Sequence, residues 1–400
     1  MLTLMSVLAF MDRQIFAVLL VPVKREFGLT DLELGLVTGV GYSCAFALMA
    51  LPLARLADQR PRRDLVAWCR GLGGLIAAFG GAASSAWALL LTRSGGSLSD
   101  AGGMPGSMSM VADLYPVEGR TRAMGVLTMG ASLGSLVALI GGAWAVERIG
   151  WRATLAFVGL ASVIAAFVMR WVVPEPQRLS SAQLAQESGW VAAKAVWAQP
   201  VARRLIIGAA FALLAGYSFG VWNFAYLMRG LNMSASQAGW ITGLSALGSM
   251  ASAPLSGAWV DRLVRRDRRW QMGVPLLGMG SALPLGWAYL SLGADQASLA
   301  IGLVIGFAFC IGFWVAPTYA ALSLVVEPQR RAMASAIVLL VGAVGGSGFG
   351  PVLAGALSDA LAHWVRGEPL GVALAIMLGL LLPAMAFFAS AMRIYGDAKS

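Results

Sequence analysis

Five ionisable residues stand inside otherwise apolar stretches of this chain: Asp12, Arg13, Arg70, Arg93 and Asp100. Charge held away from water is expensive, and chains that keep it there usually use it. A carboxylate that exchanges water for an arginine partner binds and releases a proton as its surroundings change. Asp12 stands midway along its stretch and is expected to carry the proton; Asp100 is expected to be a second carrier or the clamp for Arg13. Arg93 and Asp100 are seven residues apart. On a helix that spacing gives one face and about 10 Å along the axis. The planar fork of Arg93 suits a phosphate or carboxylate, so it is the expected anion-recognising group. The competing reading is a buried ion-pair network that only fixes packing. Arg70 stands nearer one end of its stretch and is expected to snorkel to the membrane surface, with a role in the site as the alternative.

The elements that must hold these residues follow from composition. Hydrophobic residues make up 58% of the 400 and charged residues 12%, where a soluble chain carries about 45–50% and about 25%. So few charges cannot cover a soluble protein of this size. A spanning helix needs about 20 residues. Apolar runs of that order lie at 2–23, 32–57, 65–84, 86–112, 122–146, 152–173, 204–228, 235–260, 272–293, 297–326, 333–357 and 370–392. These predict an all-α membrane protein of twelve transmembrane helices.

Cations set orientation. Of 29 lysines and arginines, twenty lie in the loops after even-numbered runs or in the tail, and six in the loops after odd-numbered runs. The remaining three are Arg13, Arg70 and Arg93. The alternation puts both termini in the cytoplasm. The net charge of +10 is then orientation rather than a nucleic-acid face.

The chain repeats itself. Thr30-Asp31-Leu32-Glu33, with Thr38-Gly39, matches Ser234-Ala235-Ser236-Gln237, with Thr242-Gly243, at an offset of 204. Both openings read as capping boxes. Arg122-Ala123-Met124 matches Arg331-Ala332-Met333 at an offset of 209. A repeat of six spans keeps its orientation, as in transporters built from two parallel halves. The expected domains are a six-helix bundle over 1–176, a linker over 177–202 and a second six-helix bundle over 203–400. Ser180 or Ser181 could cap a linker helix carrying Trp190 and Trp197 on one face. Such a helix would lie on the cytoplasmic leaflet; a plain polar connector is the alternative.

Together these features resemble the major facilitator superfamily over essentially the whole chain. The family's loop motif between helices two and three, Gly-x-x-x-Asp-(Arg/Lys)-x-Gly-(Arg/Lys)-(Arg/Lys), reads here Ala54, Asp58, Gln59, Pro61, Arg62 and Arg63, with two glycines and one cation replaced but Asp58 and the arginine pair kept; the second half keeps Gly257, Asp261, Arg262 and Arg265-Arg266. Within the superfamily the chain resembles the spinster branch, here in a bacterial form. Asp12-Arg13, then Arg93 with Asp100-Ala101-Gly102 and Pro105, then Ala112-Asp113-Leu114-Tyr115-Pro116 and Gly150-Trp151-Arg152 carry that resemblance. Where the branch has Gly-x-Gly-Glu-Ala, this chain has Ser97-Leu98-Ser99-Asp100-Ala101. The branch usually carries a cytoplasmic leader, so a few residues are expected ahead of Met1.

The resemblance implies a secondary active transporter in a bacterial inner membrane. It would be proton-coupled, with no other cofactor, and would move an amphipathic or anionic solute such as a lysolipid or sphingolipid. It further implies a cytoplasmic gate of Asp58, Arg62, Arg63, Asp261 and Arg122; positive-inside topology alone is the competing reading of these charges. Tyr217, Trp222, Asn223, Trp314 and Tyr319 are candidates for an apolar substrate wall, with helix packing as the alternative. The glycines at 125, 130, 134, 141 and 142, and at 342, 345, 346 and 350, read as close packing and bending points.

Other classes fare poorly. Cys44, Cys69 and Cys310 make neither a disulfide framework nor a metal motif, and His363 is the single histidine. An enzyme or a metal site is not expected, nor is a nucleic-acid partner. No Gly-x-x-x-x-Gly-Lys-(Ser/Thr) motif is present, so ATP is not expected to drive this chain alone. A monomer in the bilayer is expected. A drug or metabolite exporter, or an organic-acid transporter of the same fold, is the first alternative; a non-transporting receptor is a remote one.

Overall fold

The computed structural model describes residues 1–115, 117–175, 189–327, 330–365 and 367–397, and these are helical with short connections. Twelve long helices follow the twelve apolar runs. They are α1 (Leu2–Phe27), α2 (31–59), α3 (62–82), α4 (Ala86–Leu114), α5 (117–149), α6 (151–172), α7 (Pro200–Arg229), α8 (Ala235–Leu263), α9 (Trp270–Leu290), α10 (297–325), α11 (331–361) and α12 (369–397). A separate linker helix spans Gly189–Ala198, with Trp190 and Trp197 both exposed. Ser180 and Ser181 lie outside the described residues.

Local chemistry sets the helix starts. Thr30 and Glu33 form a reciprocal capping box at α2. Ser234 and Gln237 form its counterpart at α8, with backbone-to-side-chain bonds of 3.0 and 3.2 Å. One turn further in, the hydroxyls of Thr38 and Thr242 donate to the carbonyls of Leu34 and Ala238. The repeat read from the sequence is thus kept down to single hydrogen bonds.

The chain forms two compact units. Met1–Ala182 with Leu227–Gly243 is one; Gln183–Tyr226 with Leu244–Ser400 is the other. In the first unit α3 packs on α4 and α6, and α1 on α5 and α6. Glycine permits the closest of these approaches: a Cβ on Gly134 of α5 would stand 2.2 Å from the Val7 carbonyl of α1. The bending expected in α5 and α11 takes the form of π-helical stretches, Val137–Gly141 and Gly342–Phe349, lying within the glycine clusters. Gly150 separates α5 from α6 with φ 78 and ψ 163, a conformation a side chain disfavours.

In the second unit the core is aromatic. Phe219 lies 4.4 Å from Phe307 and 6.0 Å from Tyr289, centroid to centroid. Among the described residues, every charged side chain that is buried belongs to the first unit: Asp12, Asp31, Arg62, Arg70 and Arg93.

Candidate functional site

The intramembrane charges converge within the first unit. α1 supplies Asp12 and Arg13, α2 supplies Tyr42, α3 supplies Arg70, and α4 supplies Arg93 and Asp100. Arg93 is 4% exposed. Its Nη1 donates to the main-chain carbonyl of Asp12 at 3.1 Å and its Nη2 to that of Arg13 at 3.5 Å. The guanidinium also lies over two rings, 4.1 Å from the centroid of Phe16 and 5.1 Å from that of Tyr42. Such contacts hold a desolvated cation without consuming a carboxylate.

Asp12 is 5% exposed, and its Oδ1 is buried with no hydrogen-bond partner. Oδ2 occupies the space a side chain would fill at residue 96: a Cβ on Gly96 would stand 2.3 Å from it. Arg93, Arg70 and Asp100 all act on this carboxylate electrostatically. Asp100 accepts a hydrogen bond from the Tyr42 hydroxyl, and Arg13 lies over the same Tyr42 ring at 5.4 Å. Tyr42 and Phe16 therefore belong to the site, though nothing in their sequence context distinguishes them from packing aromatics.

The snorkelling expected of Arg70 is corrected by the structure. Arg70 is 2% exposed, and it stands eight residues inside α3 from Arg62, about 12 Å along the axis. The cause lies in how α3 meets α4. Val66 stands against Gly106, Cys69 against Gly102, and Gly73 against Ser99 and Gly95, so the helices run antiparallel with Arg70 level with Asp100–Gly103. The Ser99 hydroxyl donates to the Cys69 carbonyl at 3.2 Å and fixes that register.

The proposed gate residues divide. Arg62 is buried and pairs with Asp113 of α4. Glu175 accepts from the backbone N–H groups of Arg62 and Arg63 at 2.9 and 2.7 Å, capping α3. Sequence reasoning passed over Glu175, although its place between Pro174 and Pro176 offered a signal. Arg63 meets Asp64 at 3.1 Å, and Asp261 is exposed. The side chains of Asp58 and Arg122 lie outside the described residues.

At the other end of the unit, Gly150-Trp151-Arg152 locks three helices together. The Trp151 indole and the Arg152 guanidinium both donate to Glu26 of α1. Arg152 also reaches the carbonyls of Gly81, in the last turn of α3, and Ala83, just after it. Asp31, 1% exposed, pairs with Lys24 and Arg229. Glu147 accepts from the Ser236 N–H at the start of α8.

In the second unit, Trp222 is fully buried and its indole donates to the Pro351 carbonyl at 2.9 Å. Asn223 accepts from the Tyr289 hydroxyl at 2.8 Å. Trp314 is 5% exposed, while Tyr217 and Tyr319 are half-buried. Among the described residues no group of three or more His, Cys, Asp or Glu could hold a metal.

The family model of the Major Facilitator Superfamily matches residues 2–226 and 205–395. The chain belongs to the Major Facilitator Superfamily. Among members, an "MFS-type efflux pump" of Mycolicibacterium smegmatis is 32% identical over 386 residues, covering 94% of this chain and 87% of that protein. "Protein spinster homolog 1" of Rattus norvegicus is 25% identical, covering 98% of this chain and 80% of that one. The crystal structure of a bacterial homolog of the human lysosomal transporter Spinster, inward-facing and unoccupied, superposes with a TM-score of 0.86 at 24% identity, covering 98% and 95% of the two chains. The superfamily is one of transporters, and the twelve-helix architecture is its fold.

Proposed function

We propose that this protein is a proton-coupled secondary transporter working by alternating access on an amphipathic or anionic organic solute. Its setting is the inner membrane of a bacterium, with both termini in the cytoplasm. Asp12 carries the coupling proton. Asp100, held by Tyr42, is the second carrier or the clamp for Arg13, and Arg93 receives the solute's anionic head. Tyr217 and Tyr319 offer aromatic surface for its apolar part, while Trp222, Asn223 and Trp314 lie buried in the core of the second unit. Arg62, with Asp113 and Glu175, serves the cytoplasmic gate.

One observation carries this reading. Asp12 is buried, yet the nearby Arg93 spends its hydrogen bonds on main-chain carbonyls, and Asp12 Oδ1 has no donor. A structural ion pair would place the fork on the carboxylate, because an anion without donors in an apolar interior is costly. A carboxyl that takes up a proton removes that cost. The named relatives support the transporter part of this reading, since one is an efflux pump and another a spinster homolog.

Solute flux in proteoliposomes under an imposed pH gradient tests the proposal, using lysophosphatidate, lysophosphatidylcholine, benzoate and an uncharged aromatic drug. Acceleration of an anionic member of the panel by the gradient is expected. Gradient-driven flux of the uncharged drug alone would favour the exporter reading instead.

A further inference from the structure

We propose that Arg70 is a second guanidinium for the solute's anionic group, acting with Arg93 and selecting phosphate monoesters or carboxylates over neutral and zwitterionic heads. The proposal rests on the transporter reading above and deepens it.

Arg70 is 98% buried by its 2% exposure, and its Nε and Nη1 are buried without a hydrogen-bond partner. A guanidinium has five donors and no means of becoming neutral. Leaving two donor atoms idle in an apolar interior is costly unless something else meets them. The neighbouring helix presents a glycine beside it. A Cβ built on Gly103 of α4 would meet Arg70 Nη2 at 3.7 Å and no nearer heavy atom. Arg70 and Arg93 also share their surroundings, for Asp12, Asp100 and Tyr42 act electrostatically on both.

The charge count points the same way. Asp12, Arg13, Arg70, Arg93 and Asp100 together hold three cations against two carboxylates. With both carboxylates ionised one positive charge is uncompensated, and each proton taken up adds another. An anionic solute completes the balance; a zwitterion or a neutral molecule does not. Had Arg70 served only to hold Asp100 in place, its donors would be committed to that carboxylate.

The test is equilibrium binding to the full-length protein in phosphatidylcholine nanodiscs, read by tryptophan fluorescence, with lysophosphatidate, benzoate and lysophosphatidylcholine as probes. Wild type is expected to bind at least one anion more tightly than the zwitterion. Arg70→Gln is expected to lower affinity for that anion roughly tenfold, the scale of one charge-assisted hydrogen bond, and to leave lysophosphatidylcholine unchanged. Which anion responds identifies the head as phosphate or carboxylate. If Arg70→Gln does not elute as a single species, Arg70→Lys carries the test: the charge stays, the fork is lost, and anion affinity alone must fall. Full anion selectivity in a folded variant would overturn the role of Arg70 while leaving the transporter reading intact. No anion preference in wild type would overturn the role of Arg70 together with the assignment of Arg93 to an anionic head, while gradient-driven flux alone decides the transporter reading.

Discussion

At the scale of single residues, the site is built to keep one carboxyl unpaired. Arg93 joins α4 to α1 through main-chain carbonyls and two aromatic faces, and so holds the helices without binding the Asp12 carboxylate. Asp100 is treated differently, with a phenol directed at it. Tyr42→Phe removes that donor and keeps the ring beneath Arg13 and Arg93. It is expected to slow coupled flux roughly tenfold, the cost of one hydrogen bond to a charged group, with thermal stability little changed. Unaltered flux in the variant would remove Tyr42 from the mechanism. Asp12, Arg13, Arg93 and Asp100 were legible in the sequence because charge inside an apolar run is rare. Tyr42 was not, because an aromatic in such a run is ordinary packing. Arg70 was misjudged because its depth depends on the register between α3 and α4, which Gly102, Gly106 and Ser99 set.

At the scale of elements, the helix ends carry the specific chemistry. The capping boxes at α2 and α8 were readable, since a hydroxyl followed three residues later by Glu or Gln is a local signal. The π-helical stretches in α5 and α11 could not be read as such; glycine clusters announced close packing and bending without saying which backbone geometry would use it. Gly150 is different, because its positive φ is imposed by the turn from α5 into α6. That turn aims Trp151 and Arg152 at Glu26. Gly150→Ala is expected to cost about 1–3 kcal/mol, the range for a side chain forced into a sparsely populated backbone region. Thermal unfolding in detergent reads this directly, and an unchanged midpoint would mean that the turn relaxes freely.

At the scale of the whole molecule, charge is sorted. Twenty-six of the 29 lysines and arginines lie outside the apolar interiors of the spans. The buried charged side chains among the described residues all lie in the first unit, and the second unit is packed with aromatics and small polar groups. Twelve spans and an internal repeat were readable because hydropathy acts over about 20 residues at a time. Contacts between distant helices, such as Glu175 capping α3 or Glu26 receiving Arg152, depend on tertiary packing and left only faint traces in sequence. The central claim is that Asp12 exchanges a proton during transport. The most direct measurement is proton movement after a pH jump in proteoliposomes, recorded with an internal dye while a transported anion from the panel is present. Wild type is expected to show solute-dependent proton flux, and Asp12→Asn is expected to abolish it while still binding the solute. Undiminished solute-dependent proton flux in a folded Asp12→Asn protein would contradict the account.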